Sequence, residues 1–112
     1  MTSNDARQPR IKVLIAEDEE NLGTILEQFL VGRGHHVQTV RDGRSALQAL
    51  RADTWDVALL DIVMPELDGL EVLKAVREEL APPEVIIITG NGTIETAITA
   101  MKLGAYDYLS KP

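Results

Sequence analysis

Hydrophobic residues recur along the chain in short runs separated by polar turns. Five runs have the length and composition of β-strands, at residues 11–16, 35–40, 55–61, 84–89 and 106–110. The fourth run, EVIIIT, is almost entirely apolar, which is typical of a strand covered on both faces. The pattern therefore predicts a sheet of five strands with a buried interior.

Helical periodicity fills the intervals between these runs. After the first strand, apolar residues follow the spacing of one helix face: Leu22, Ile25, Leu26, Phe29 and Leu30. A short second helix is predicted around residues 46–50. A third is predicted over 69–80 with Leu80 facing inward, and a fourth over 94–103. In the fifth strand, Tyr106 is expected in the core.

Alternation of strands and helices with short links predicts a doubly wound α/β fold. Its sheet would be parallel, with helices on both faces and the flavodoxin-like strand order 2-1-3-4-5. Residues 1–10 are polar and predict a flexible N-terminal arm before one domain at 11–112. A final helix of roughly 10–14 residues is missing. We therefore expect one sheet face to be covered by the first helix alone, in a domain truncated before a fifth helix or completed by a partner.

The composition indicates a small globular domain and argues against a secreted, membrane-spanning or nucleic-acid-binding segment. The 112 residues are 45% hydrophobic and 26% charged, as in one small globular domain. The start, MTSNDARQPR, lacks the apolar core of a secretory signal, and no run is long enough to span a membrane. The absence of cysteine excludes disulfides and thiolate metal sites. A net charge of −7 predicts no direct binding of nucleic acid by this segment. We expect a cytoplasmic location.

Candidate functional residues lie where the predicted strands end. Glu17 and Asp18 follow the first strand, Asp61 ends the third, Thr89 ends the fourth and Lys111 follows the fifth. Ligands bind beyond the carboxyl ends of strands in open α/β sheets. In the order 2-1-3-4-5 the first and third strands are neighbours, so three carboxylates should meet at one edge.

Three close carboxylates repel and cannot all stay ionised unaided. A divalent cation resolves the conflict, and oxygen-only ligands favour Mg²⁺. A site with Mg²⁺, Lys111 and Thr89 also suits a phosphoryl group, which brings several anionic oxygens. Asp61 would then be the nucleophile that forms an acyl phosphate.

Four motifs carry a resemblance to a known family. They are AEDE (16–19), LLDIVMPELDG (59–69), IIITGNG (86–92) and GAYDYLSKP (104–112). Together, in this order and each at a strand end, they resemble the receiver domain of bacterial two-component response regulators. The resemblance covers about residues 10–112. The stretch TIETAITAMKLGAYDYLSKP looks most similar to receivers placed before sigma-54-activating ATPases.

The resemblance implies a role for each acidic residue. Asp61 is implied as the phosphoacceptor. Asp18 and Asp61 are implied as direct Mg²⁺ ligands, and Glu17 as one acting mainly through water. The backbone carbonyl of Val63 would complete the protein's share of the metal shell.

Further roles follow from the resemblance on the last two strands. Thr89 would bond one phosphoryl oxygen and Lys111 would pair with another. Tyr108 matches the aromatic residue that changes rotamer when the threonine is drawn to the phosphate. The family also implies a cis peptide bond at Lys111–Pro112.

Other matching positions lie in the loops. Pro65 and Gly69 match the family's shaped loop after the acceptor. Val63 and Asn91 occupy positions that tune hydrolysis in the family. Because Val63 offers no side chain to orient an attacking water, we expect the phosphoryl group to last minutes rather than seconds.

The function implied is a phosphorylation-dependent switch. A sensor histidine kinase would donate its phosphoryl group to Asp61. The domain would not be an enzyme in the ordinary sense, since it catalyses only its own phosphotransfer and slow autodephosphorylation. The face formed by the fourth helix and fifth strand would change and control an effector in transcription. Implied partners are a C-terminal effector domain absent from this chain and a second copy in a homodimer.

Three alternatives remain at this stage. One is a pseudo-receiver that acts only as a protein-interaction module, against which the complete acid, threonine and lysine set argues. A flavodoxin-type electron carrier needs a hydroxyl- and glycine-rich loop after the first strand, but this chain has Glu-Asp-Glu-Glu there. A haloacid-dehalogenase-like phosphatase needs a second acid two residues after the nucleophile, where this chain has Val63.

Overall fold

A computed structural model describes residues 9–90 and 93–111. In this part of the chain, strands and helices alternate as predicted. Their bounds are β1 Lys12–Ala16, α1 Glu20–Gly32, β2 His36–Val40, α2 Gly43–Ala52, β3 Val57–Asp61, α3 Gly69–Val76, β4 Glu84–Thr89, α4 Ile94–Lys102 and β5 Asp107–Ser110. Most of the predicted arm at 1–10, Asn91 and the Lys111–Pro112 bond lie outside the described residues.

All strand pairs in the sheet are parallel, and the strand order is β2-β1-β3-β4-β5. The predicted doubly wound fold is therefore confirmed. Ala16 at the end of β1 pairs with Leu60, which directly precedes Asp61. Thr89 at the end of β4 pairs with Ser110, which directly precedes Lys111. This register aligns the carboxyl ends of β1, β3, β4 and β5 at one edge.

The main core lies between the sheet and helices α2, α3 and α4. Its fully buried side chains come from both layers and include Leu14, Ala58, Leu60, Val85, Ile87, Ala46, Val72, Leu73, Val76 and Ala100. Burying one large apolar side chain contributes about 1.5–3 kcal/mol. This packing holds the central strands rigidly, so it also fixes the positions of their carboxyl ends.

The opposite face of the sheet is thinly covered. Among the described residues, α1 lies on this face and leaves a cavity of about 180 Å³ against β3, β4 and β5. Ile25 and Phe29 on α1 are each 62% exposed, and Leu109 on β5 is 47% exposed. These exposures agree with the expectation that the first helix covers this face alone.

The start of α2 packs against the loop after β3. Asp42 caps the helix, because its carboxylate accepts hydrogen bonds from the Ser45 N–H at 2.7 Å and the Ser45 hydroxyl at 2.9 Å. The next residue, Gly43, donates its N–H to the carbonyl of Pro65 at 3.1 Å. A Cβ at Gly43 would overlap the Leu67 carbonyl oxygen. The cap of α2 therefore supports the loop that follows Asp61.

Two sequence predictions about the core are wrong. The third helix ends at Val76 rather than at residue 80, and Leu80 is fully exposed. After Val76 the amides of Glu78 and Glu79 bond back three residues instead of four, which turns the chain away from the core. Tyr106 is 65% exposed because it precedes β5, which is the edge strand of the sheet.

The helices of the described residues are all too short or too polar to cross a membrane.

Candidate functional site

A pocket of about 240 Å³ opens at the carboxyl edge of the sheet. The side chains in and beside this pocket lie at the carboxyl ends of four strands, β1, β3, β4 and β5. Its lining consists of Asp18, Glu19, Asp61, Val63, Thr89, Gly90 and Lys111. The strand order predicted that Glu17, Asp18, Asp61, Thr89 and Lys111 would meet at this edge, and the structure brings them together. Their chemical roles stay predictions.

Three carboxylates cluster in this region. Glu17, Asp18 and Asp61 each offer one oxygen, and these three oxygens lie within 4.8 Å of one another. Glu17 and Asp61 are buried, whereas Asp18 is exposed at the pocket surface. The cluster concentrates negative charge on two groups that have little access to water, which is unfavourable without a compensating cation.

Lys111 supplies part of that compensation. Its Nζ lies 2.9 Å from Asp61 Oδ2 and 3.0 Å from Glu17 Oε2, and its side chain is only 16% exposed. Burial alone would lower the pKa of the Lys111 ammonium, but the hydrogen bonds and negative charges of Asp61 and Glu17 outweigh burial and raise the pKa. Lys111 therefore stays charged and bridges two of the three acids.

Glu17 keeps one carboxylate oxygen without a partner. Oε2 accepts from the backbone N–H of Glu19 at 3.0 Å and from Lys111. Oε1 is buried and has no hydrogen-bond partner in the described part of the chain. Burial raises the pKa of Glu17; the bonds from Glu19 and Lys111 oppose this, and the charge of Asp61 adds to it.

The unpartnered oxygen tests whether a metal ion suits the site. A buried carboxylate oxygen without a partner is costly, and a cation or a water bound to a cation would satisfy it. The donor set of Glu17, Asp18 and Asp61 consists only of oxygens, which is the set that Mg²⁺ prefers. These residues therefore fit a divalent cation.

The loop after Asp61 holds the carboxylate in place. The Val63 N–H donates to Asp61 Oδ1 at 3.2 Å, and the Gly69 N–H donates to the Ile62 carbonyl at 2.9 Å. A Cβ at Gly69 would overlap the Asp61 carbonyl oxygen, so only glycine fits there. Glu66 adopts a φ of 74°, a left-handed turn that closes the loop. Asp61 is thus bonded on one oxygen by Val63 and on the other by Lys111.

Thr89 and Tyr108 occupy different places. Thr89 is 2% exposed and lines the pocket, and its carbonyl accepts from the Lys111 N–H at 2.9 Å. Tyr108 is half-buried, packs against the core, and does not line the pocket. Its hydroxyl lies 3.1 Å from the Thr96 hydroxyl in the first turn of α4.

Sequence reasoning missed three groups near these residues. Two are backbone donors, the N–H groups of Glu19 and Val63. Almost every residue type carries a backbone N–H, so the identity of a residue does not show that its N–H lies at a site. The third is the Thr96 hydroxyl. Thr93 and Thr96 form a reciprocal cap at the start of α4, a short pattern that could have been found. The contact with Tyr108 depends on packing between α4 and β5.

Comparison with known protein families gives a match over most of the chain. The family model described as the response regulator receiver domain matches residues 13–112. Among curated relatives, the transcriptional regulatory protein ZraR of Escherichia coli (strain K12) is 38% identical over 102 residues, covering 91% of this chain and 23% of that protein. The transcriptional regulatory protein TcrA of Mycobacterium tuberculosis (strain H37Rv) is 35% identical over 102 residues, covering 91% and 40%. The chain thus spans less than half the length of either relative.

Solved structures of other proteins are also similar to this chain. The receiver domain of the Francisella response regulator 1452 superposes with a TM-score of 0.86 at 32% identity, covering 92% of this chain and 85% of that one. NtrX from Brucella abortus, solved in complex with ADP, superposes with a TM-score of 0.84 at 33% identity, covering 93% and 24%.

Proposed function

This chain belongs to the response regulator receiver domain family, and on that premise we propose that it accepts a phosphoryl group onto Asp61 from the phosphohistidine of a sensor histidine kinase. The observation that carries the proposal is the environment of the Asp61 carboxylate. It lies at the pocket with a lysine ammonium 2.9 Å away and two further carboxylates within 4.8 Å. This is an anionic nucleophile held beside positive charge and a place for a cation.

Glu17, Asp18, Asp61 and the backbone carbonyl of Val63 would hold Mg²⁺. The bound ion would supply the positive charge that lets an anionic phosphoryl group approach anionic carboxylates. Glu17 would act through water, which agrees with its buried and unpartnered Oε1. Asp18 is exposed, so it leaves a path by which a hydrated cation enters.

In the transfer step, one carboxylate oxygen of Asp61 attacks phosphorus. The new O–P bond forms as the N–P bond of the phosphohistidine breaks, and the imidazole nitrogen keeps the electron pair of that bond. Lys111 would pair with one phosphoryl oxygen, and the Thr89 hydroxyl would bond another. The same site would hydrolyse the acyl phosphate slowly, because the Val63 side chain offers no group to orient water.

The output would be a change at the face formed by α4 and β5. Thr89 would be drawn to the phosphoryl group, Tyr108 would change rotamer, and the population of the active state would rise. This face would control an effector, in transcription and in the cytoplasm, through a C-terminal domain or a homodimer. ZraR and TcrA, both named as transcriptional regulatory proteins and both longer than this chain, support this part of the proposal. A sigma-54-activating ATPase is the effector we favour.

Phosphorylation by a small-molecule donor tests the proposal directly. The chain is incubated with acetyl phosphate and Mg²⁺, and its intact mass is measured. We expect a gain of one phosphoryl group that Asp61→Asn and chelation of Mg²⁺ both abolish. Asp53→Asn is the matched control, because Asp53 is an exposed aspartate paired with Lys12, the first residue of β1, at the opposite end of that strand from Glu17, and it should gain mass like the wild type.

One result would overturn the proposal. If the wild-type chain is folded by circular dichroism but gains no mass, Asp61 is not a phosphoacceptor. The alternative of a pseudo-receiver that only binds other proteins would then be favoured.

A further inference from the structure

The hydroxyl of Thr96 stands at the junction of two parts of the molecule. It belongs to the capping box of α4, where it accepts from the Thr93 N–H at 2.9 Å and donates to the Thr93 carbonyl at 2.9 Å. It also lies 3.1 Å from the hydroxyl of Tyr108 on β5. One oxygen atom therefore joins the first turn of α4 to the edge strand.

Hydrogen-bond capacity identifies the donor in the contact with Tyr108. A threonine hydroxyl has one proton and two lone pairs. The Thr96 proton is directed to the Thr93 carbonyl, and one lone pair accepts from the Thr93 N–H. Two hydroxyls reach the second lone pair, that of Tyr108 at 3.1 Å and that of Thr93 at 3.3 Å. We assign it to the nearer Tyr108, which is then the donor. With this bond the Thr96 oxygen is satisfied, and the bond is partly shielded from water.

We propose that the Thr96 hydroxyl is a latch, meaning a single group that holds the Tyr108 ring and the first turn of α4 in one arrangement. When the Tyr108 ring leaves this position, the Thr96 hydroxyl loses its hydrogen bond from Tyr108. The capping bonds between Thr93 and Thr96 then weaken, and the first turn of α4 unfolds locally more often. By reciprocity, a firm first turn holds Tyr108 in the position seen here. Thr96 is thus a positioning residue for the switch, and this role rests on the proposed function for its link to phosphorylation.

The position of Tyr108 connects the latch to the pocket. Tyr108 pairs with Ile87 on β4, two residues before Thr89. Thr89 lines the pocket, and the capping residue Thr93 follows it by four positions in sequence. A movement of Thr89 or Tyr108 therefore acts on α4 both through the chain and through the Thr96 hydroxyl.

Amide hydrogen exchange measured by NMR on the unphosphorylated chain without Mg²⁺ tests the latch itself. Tyr108→Phe keeps the ring packing and both capping threonines but removes the donor. One neutral hydrogen bond shifts an equilibrium by about two- to tenfold. We expect the amides of Thr93, Thr96 and Ala97 to exchange faster by that factor. Exchange within twofold of the wild type, in a folded variant, would overturn the latch.

Further variants separate the latch from capping alone. Thr96→Val should remove the effect of a second Tyr108→Phe change, whereas Thr96→Ser should keep it. Thr99→Val is the matched control, since Thr99 donates to the Glu95 carbonyl in the same helix and its hydroxyl makes no hydrogen bond with Tyr108 among the described residues. It should leave the first-turn amides unchanged. A Tyr108→Phe effect of equal size in the Thr96→Val background would contradict the proposal.

Phosphorylation with acetyl phosphate and Mg²⁺ tests the link to signalling. We expect faster first-turn exchange in the phosphorylated wild type and no further change in Tyr108→Phe. A confirmed gain of mass without any change in first-turn exchange would overturn the link. Failure to gain mass would instead overturn the proposed function, and the measurements on the unphosphorylated chain would still decide the latch.

Discussion

Replacing Lys111 by methionine removes an ammonium that joins two buried carboxylates. The Nζ atom lies 2.9 Å from Asp61 and 3.0 Å from Glu17, and the side chains of these acids are 3% and 0% exposed. The carboxylate oxygens of these acids lie within 4.8 Å of each other, and two unit charges at that limiting separation repel by about 3.5 kcal/mol at an effective dielectric constant of about 20. Removing one partner of a buried ion pair typically costs about 3–5 kcal/mol. We expect Lys111→Met to lower the free energy of unfolding by about 3 kcal/mol at pH 7 without Mg²⁺.

Magnesium should reduce this loss. If the ammonium and the metal ion compensate the same carboxylates, removing the ammonium strengthens Mg²⁺ binding. A tenfold gain in affinity is equivalent to about 1.4 kcal/mol, and binding to the folded state adds directly to its stability. We expect a gain of about tenfold, so saturating Mg²⁺ should recover about 1.4 kcal/mol of the loss in Lys111→Met relative to the wild type.

Urea titration followed by tryptophan fluorescence measures both quantities. Trp55 is the sole tryptophan and is 8% exposed, so its emission reports unfolding. Arg41→Met is the control, because Arg41 pairs with the exposed Glu20, and such surface pairs contribute about 1 kcal/mol or less. A loss below about 1 kcal/mol in Lys111→Met, or a loss that Mg²⁺ does not reduce, would refute the reasoning.

Three further predictions concern other parts of the molecule. Asp42→Ala should lower the free energy of unfolding by about 1 kcal/mol, and Asp42→Asn by less. The hydrogen bond from the Ser45 N–H lowers the pKa of Asp42 below its ordinary value of 3.8. The cap therefore stabilises the fold fully above pH 3.8, and this stabilisation is lost as the pH falls through the lowered pKa. The free energy of unfolding of Asp42→Asn, measured by urea titration against pH, should lack this acid-dependent loss. Gly69→Ala should push the Asp61 carbonyl aside and slow phosphorylation roughly 10- to 100-fold in an intact-mass time course, and an unchanged rate would contradict the role of the close contact. The phosphoryl group should last minutes after removal of the donor because of Val63, and decay within seconds would contradict this.

Strand order made the central features predictable from the sequence. Parallel strands place their carboxyl ends at one edge, so the acids after β1 and β3 and the lysine after β5 had to meet once the order was known. Glu17, Asp61 and Lys111 meet in this way. The strand bounds were also predictable, because each strand is a short apolar run that is flanked by turn residues.

The remaining features depend on contacts that a linear pattern does not encode. The bonds that end α3 at Val76 are backbone bonds of the local turn, and they carry Leu80 into solvent. The bond between Tyr108 and Thr96 depends on how β5 lies against α4. Whether Oε1 of Glu17 is buried without a partner depends on the packing around it in three dimensions.

Lys111 and Glu17 are 94 residues apart in sequence, yet one hydrogen bond joins them. A ribosome makes the acids long before it makes the lysine. While β5 is still in the exit tunnel, a nascent chain holds Glu17 and Asp61 without the ammonium that lets both stay ionised side by side. Under the proposed function, competence to accept a phosphoryl group would therefore begin only when β5 has emerged and docked, and a nascent chain without β5 would not intercept phosphoryl groups.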